Sequence, residues 1–124
     1  MKKVTLFFVA ASLFSMAAPV GAEVTQVWEC RPAEGKTMDD AIALSKEWLK
    51  LAKEADENAS VRILYPLAGS AENGTFLFVF FLPDFTSWGK FEDAYPDSAL
   101  AAMDSDWGET APCKLSTLWW AEDL

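Results

Sequence analysis

The 124-residue sequence contains no histidine, and its only cysteines are Cys30 and Cys113. Without histidine, the usual base that activates a serine or cysteine nucleophile is excluded. The commonest protein ligand for zinc, copper and haem iron is excluded as well. The two cysteines lack the Cys-x-x-Cys spacing of a redox catalyst. If the two cysteines form a disulfide with each other, zinc and copper lose their thiolate ligands as well, and the carboxylates that remain suit calcium or magnesium. We therefore expect no transition-metal site.

Basic residues are scarce, at 10 against 19 acidic residues, but Lys2 and Lys3 stand at the very start of the chain. An apolar run at 4–18 follows them, and small residues at 20–22 precede Glu23. This three-part layout predicts a signal peptide at 1–22 and a single mature domain at 23–124, exported to the periplasm or secreted. A membrane anchor is the alternative, but the run is shorter than the roughly 20 apolar residues that span a bilayer.

The net charge of −9 excludes some classes of partner. Removal of the two N-terminal lysines would make the mature chain more acidic still. An acidic surface repels nucleic acid and anionic lipid, so neither nucleic acid nor, after signal cleavage, a membrane is an expected partner.

The two cysteines are expected to form a disulfide, because an even cysteine count in an exported chain normally means pairing. The bond would close a loop of roughly 80 residues and contribute on the order of 4 kcal/mol in the chain-entropy account. Two free thiols are the alternative, which an oxidising compartment disfavours.

Hydrophobic patterning predicts four strands and two helical segments in the order β-α-β-β-α-β. In chain order they are a strand at 24–30, an amphipathic helix at 38–56 capped by Thr37, strands at 61–67 and 75–82, a helical segment from residue 85 or 87 to 107 that is broken at Pro96, and a strand at 113–120. This order is typical of the α+β ferredoxin-like fold, in which helices cover one face of an antiparallel sheet. We take Pro66, inside the second strand, as a sign of a sheet edge.

In the ferredoxin-like strand order 4-1-3-2, the end of the first strand lies beside the start of the last. Cys30 and Cys113 occupy those two positions, so the topology and the disulfide support each other. If the cysteines face one another directly, Glu29 falls opposite Lys114 and Trp28 falls opposite Leu115.

The strand at 75–82 is apolar on both faces. One face would carry Phe76, Phe78, Phe80 and Leu82, and the other Leu77, Val79 and Phe81. Two helices can cover only one face, so we expect a second copy of the chain to cover the other. At this point the chain resembles the dimeric α/β-barrel superfamily, by the order and layout of its elements over nearly all of the mature chain. A monomer whose C-terminal tail partly covers this face is the alternative.

The resemblance implies several functions, since the superfamily includes haem-degrading enzymes, small monooxygenases, isomerases and non-catalytic binding proteins. Most haem-binding members use an axial histidine, which this chain lacks. We interpret Met38 and Met103 as core residues rather than haem ligands, and we expect no cofactor. The acidic stretch at 104–109 is interpreted as a solvated turn rather than a calcium loop.

Few side chains could support catalysis. The candidates are Glu29, Tyr65 and Arg62, with Tyr95 and Lys114 among the other titratable groups. Glu29 could act as a general acid or base beside Trp28, but an ion pair with Lys114 is the favoured interpretation.

Three of the six tryptophans, Trp28, Trp88 and Trp107, are candidate ligand contacts. We therefore expect an exported dimer that binds a small apolar or aromatic molecule, or another protein. The alternative is a cofactor-independent monooxygenase-like or isomerase-like enzyme. A buried, unpaired carboxyl or tyrosine at the base of a cavity would favour the enzyme.

Overall fold

The computed structural model describes residues 22–69 and 73–124, with the exception of the Leu115 side chain. The expected signal peptide therefore lies outside the described residues, apart from Ala22. The strands are β1 (Val24–Cys30), β2 (Ser60–Leu64), β3 (Phe76–Leu82) and β4 (Cys113–Trp120), and the helices are α1 (Met38–Ala55), α2 (Phe85–Ala94), α3 (Ala99–Ala102) and α4 (Asp104–Thr110), with a 3₁₀ turn at Tyr95–Asp97. Among the helices of this part of the chain, none is long and apolar enough to cross a bilayer.

The four strands form one antiparallel sheet in the order β2-β3-β1-β4. This is the 4-1-3-2 order of the ferredoxin-like fold, so the predicted fold class is confirmed. Residues directly opposite one another in antiparallel strands point to the same face. Trp28 is paired with Phe78, and Val27 with Val79, so the register assigns these two pairs to opposite faces.

Helix α1 begins where the sequence predicts, because Thr37 and Asp40 form a reciprocal cap. The Thr37 hydroxyl accepts a hydrogen bond from the Asp40 backbone N–H, while the Asp40 carboxylate accepts one from the Thr37 N–H at 2.8 Å. These hydrogen bonds hold the pKa of Asp40 below its usual value. The buried residues of α1 recur every three or four positions, which turns one helical face towards the sheet. They are Ala41, Ser45, Trp48 and Ala52.

The core lies between the helices and one face of the sheet. All four alternating residues of β3 on this face are buried: Phe76, Phe78, Phe80 and Leu82. Phe80 meets Trp48 of α1 at 4.9 Å and Phe91 of α2 at 4.8 Å between ring centroids. The two longest helices are therefore fixed to the sheet through aromatic contacts with its second-from-edge strand.

The predicted disulfide is present between Cys30 and Cys113, whose Cα atoms are 4.0 Å apart. Beyond it, the Arg31 N–H donates to the Pro112 carbonyl and the Ala33 N–H to the Thr110 carbonyl. The disulfide and these two hydrogen bonds together hold the end of β1 beside the start of the edge strand β4.

Two expectations about neighbouring residues next to the disulfide were wrong. The register between β1 and β4 shifts at Glu29 and Cys30, so Glu29 is paired with Leu115 rather than Lys114. For the same reason Trp28 is paired with Ser116 rather than Leu115. The cause is an irregularity of the β-bulge type, in which one strand carries an extra residue and the pairing beyond it moves by one position.

Two local expectations were also wrong. Strand β2 ends at Leu64, so Pro66 follows the strand and is not the reason for its edge position. The acidic stretch at 104–109 is helical, within α4, rather than a solvated turn. Acidic residues in a first helical turn are favoured by the helix dipole, and Asp104 and Asp106 occupy that turn.

Candidate functional site

A cavity of about 480 Å³ lies between the helix-facing side of the sheet and the helical segment that follows α2. Helix α1 packs on β2 and α2 packs on β3, so the helical layer is centred on one half of the sheet. Helix α4 packs against α1 and contributes Trp107 and Gly108 to the cavity wall over β1. The uneven cover of the sheet thus explains why the space lies on the β1 side.

Aromatic side chains account for six of the twelve described residues that line the cavity. They are Trp28, Trp48, Phe78, Phe91, Tyr95 and Trp107. Phe78 is at the centre of this group, with its ring centroid 5.6 Å from that of Trp28 and 5.0 Å from that of Trp107. Both contacts are edge-to-face, a favourable arrangement of ring quadrupoles. The wall is therefore held in place by aromatic packing as well as by backbone structure.

Among the described residues, the two charged groups that line the cavity are both acidic, Glu92 and Asp104. The Tyr95 hydroxyl donates a hydrogen bond of 2.6 Å to Asp104 Oδ1. Burial and the adjacent Asp104 carboxylate raise the pKa of Tyr95 above its ordinary range, and burial raises the pKa of Glu92. Tyr95 is thus a protonated donor that is already engaged, while Glu92 is only partly buried and stays accessible to solvent.

Two of the three predicted ligand contacts, Trp28 and Trp107, line this cavity. Trp88 does not. It lies one helical turn before Phe91 in α2 and packs against the hydrophobic core, where its indole N–H is buried without an acceptor among the described residues.

The three candidate catalytic residues lie away from the cavity. Glu29 and Arg62 belong to the opposite sheet face, on strands separated by β3, and Tyr65 follows β2 with 52% of its surface exposed. Glu29 Oε1 lies 3.3 Å from Lys114 Nζ, and the two side chains form the ion pair that the favoured interpretation predicts. The Arg62 guanidinium lies 4.8 Å from the centroid of the Phe81 ring. These residues do not converge on a common site.

Several cavity residues were not predicted from the sequence. The helical spacing of Trp48 indicated a core residue, and it is both a core residue and a wall residue. The Tyr95–Asp104 hydrogen bond crosses the break at Pro96, where sequence periodicity gives no signal. Within the described ranges, no three histidine, cysteine, aspartate or glutamate side chains are grouped closely enough to hold a metal ion.

Two solved protein structures are similar to this chain. The chain is similar to a dimeric ferredoxin-like protein of unknown function from Thermobifida fusca, with 17% identity over 80% of this chain and 91% of that one, at a TM-score of 0.53. It is also similar to part of a VAO-type flavoprotein from Myceliophthora thermophila, with 16% identity over 85% of this chain but 19% of that one, at a TM-score of 0.51. No protein-family model and no curated protein matches the chain. At these identities the similarity establishes the ferredoxin-like fold alone.

Proposed function

We propose that this chain is an exported, non-catalytic binding protein that takes a small, planar aromatic molecule into the cavity beside Phe78. The observation that carries the proposal is the cavity itself, about 480 Å³ in volume and walled by six aromatic side chains. Small-molecule sites are typically apolar concavities of about 300–1,000 Å³ with a few polar groups that orient the ligand. The polar groups here are Gln26, Glu92 and the Tyr95–Asp104 pair.

Binding is favoured over catalysis because the cavity offers little that could react. Tyr95 and Asp104 are committed to one another, and the candidates Glu29 and Arg62 belong to the other sheet face. The specific observation that supports a second candidate, a cofactor-independent monooxygenase-like or isomerase-like enzyme, is Glu92. Partial burial raises the pKa of this otherwise exposed carboxyl, a direction that suits general acid–base work.

We further propose that two chains pair through the sheet face that the helices do not cover. This face carries Val27, Leu77 and Phe81, which are half-buried in the single chain, and Val79, which is 4% exposed. At its margins, Leu64 is 47% exposed and Trp119 is 60% exposed. Large apolar side chains that are exposed on one sheet face are typical of an interaction surface. The Thermobifida fusca protein that shares the fold is described as dimeric, which supports a homodimer here.

A cavity-filling variant tests the binding proposal. Gly108 lines the cavity, and a Cβ atom added there would meet no other atom within 4 Å. Gly108→Leu should therefore occupy ligand space without a clash, and it replaces a poor helix former with a good one. Gly89→Leu is the matched control, because Gly89 is also helical and unobstructed but does not line the cavity.

The titration would use N-phenyl-1-naphthylamine, a neutral probe whose fluorescence rises in apolar surroundings. We expect saturable binding to the wild type and to Gly89→Leu, and at least about tenfold weaker binding to Gly108→Leu, since the filled space excludes the ring. Thermal unfolding would verify that both variants are folded. Equal binding by Gly108→Leu and Gly89→Leu, or no binding by the wild type, would contradict the proposal.

A further inference from the structure

The charges around the cavity distinguish between classes of aromatic ligand. Glu92 from α2 and Asp104 from α4 both line it, and among the described residues no lysine or arginine does. The chain as a whole carries a net charge of −9. Local and overall charge therefore have the same sign, so a ligand that enters from water meets a negative potential.

The aromatic wall adds a second preference of the same kind. The face of an aromatic ring is the negative end of its quadrupole, and indole rings attract cations most strongly. Three indoles, those of Trp28, Trp48 and Trp107, line the cavity. An ammonium group gains from these rings and from two carboxylates, whereas an anion is repelled by both.

We propose that the cavity selects aromatic molecules that carry a positively charged amine, with the ring system among the tryptophans and the ammonium group towards Glu92 and Asp104. This inference rests on the proposed binding function and narrows its ligand class. The volume of about 480 Å³ accommodates a two-ring body with a short ammonium arm. Asp104 also accepts a hydrogen bond from the Tyr95 hydroxyl. This bond orients the Asp104 carboxylate before a ligand binds.

Three probes with the same ring system test the preference: 2-naphthylmethylammonium, the neutral 2-naphthylmethanol and the anion 2-naphthoate. Calorimetric titrations at neutral pH and low ionic strength should give the cation a dissociation constant about tenfold lower than that of the alcohol, because the indole faces and the two carboxylates both favour a positive charge. The anion should bind more weakly than the alcohol. A higher salt concentration should reduce the differences among the three dissociation constants, because it screens the charges.

The double variant Glu92→Gln/Asp104→Asn removes both charges but keeps an oxygen at position 104 for the Tyr95 hydroxyl. It should reduce the advantage of the cation over the alcohol to about threefold, because the carboxylate contacts are lost while the indole contacts remain. Asp93→Asn removes the same type of charge from an exposed residue adjacent to Glu92 that does not line the cavity, and it should leave the preference in place.

The outcomes separate this inference from the function on which it rests. If all three probes bind equally well and Gly108→Leu blocks them, the cavity binds ligands but the inference is overturned. Tightest binding of 2-naphthoate, or a cation preference that the double variant leaves unchanged, also overturns it. No binding of any probe overturns both the inference and the proposed function.

Discussion

Tyr95 is the residue whose acid–base chemistry the fold alters most. Its ring is partly buried against Phe91, at 6.0 Å between centroids, and its hydroxyl donates to Asp104. Ionisation would create a phenolate beside a carboxylate, so burial and this carboxylate raise the pKa of Tyr95 above the ordinary value of 10.0. The hydroxyl is consequently a fixed donor over the whole physiological range.

This raised pKa predicts a specific loss of stability in alkali. The unfolded chain releases the Tyr95 proton near pH 10 while the folded chain retains it, so the contribution of Tyr95 is complete below about pH 10 and is lost as the pH rises above it. Denaturant unfolding between about pH 9 and pH 11 should show a steeper decline for the wild type than for Tyr95→Phe. Parallel declines would contradict the assignment.

The tryptophans show where sequence reasoning about single residues succeeds and where it stops. Trp28 was named as a ligand contact and lines the cavity, although the loose alternation of β1 did not indicate which sheet face it would occupy. Trp88 and Trp107 both belong to the broken helical segment, yet only Trp107 reaches the cavity. The position of Trp107 depends on how the chain turns at Tyr95–Asp97. A 3₁₀ turn of three residues is too short to show hydrophobic periodicity, so the sequence did not predict this direction.

At the scale of elements, the strands β1 and β4 begin and end where the sequence predicts. Alternation and the flanking prolines Pro32 and Pro112 define both strands locally. The bulge near Glu29 could not be predicted, because register is a relation between two strands and a shift of one residue changes no single-strand pattern. The short helices α3 and α4 were only outlined, since four to seven residues contain too few turns for periodicity to place their ends.

The bond between β1 and β4 gives the element-scale prediction. Replacement of both Cys30 and Cys113 by alanine should lower the free energy of unfolding by about 2–5 kcal/mol, since the unfolded chain regains the freedom of a long loop. Urea denaturation measures this loss directly. Wild-type protein unfolded under reducing conditions is the matched control and should show a similar loss. A change below about 1 kcal/mol in both would show that the bond does not stabilise the fold.

At the scale of the whole molecule, the uncovered sheet face predicts assembly. Trp119 is 60% exposed in the single chain, so Trp119→Lys should cost the monomer little but place an unpaired charge in a dimer interface. Sedimentation should show a wild-type dimer at micromolar concentration and a dissociation constant raised at least about tenfold in the variant. Leu67→Lys, at a position 98% exposed after β2, is the control and should remain dimeric. A monomeric wild type would contradict the assembly.

Export is a separate whole-molecule prediction. Protein recovered from the periplasm or the medium should have the intact mass of residues 23–124, because the signal peptide is removed. That mass should be lower by two hydrogen atoms than the mass of the reduced chain, because the disulfide is formed. Mass spectrometry before and after reduction would measure both. Recovery of the unprocessed chain, or of two thiols open to labelling, would contradict this account.

The central claim is that the aromatic cavity is a ligand site, and a crystal structure grown with 2-naphthylmethylammonium tests it most directly. The account predicts electron density for the two rings among Trp28, Phe78 and Trp107, with the nitrogen within hydrogen-bonding distance of Glu92 or Asp104. A cavity that holds only water at a saturating probe concentration, or rings bound on the opposite sheet face instead, would contradict it.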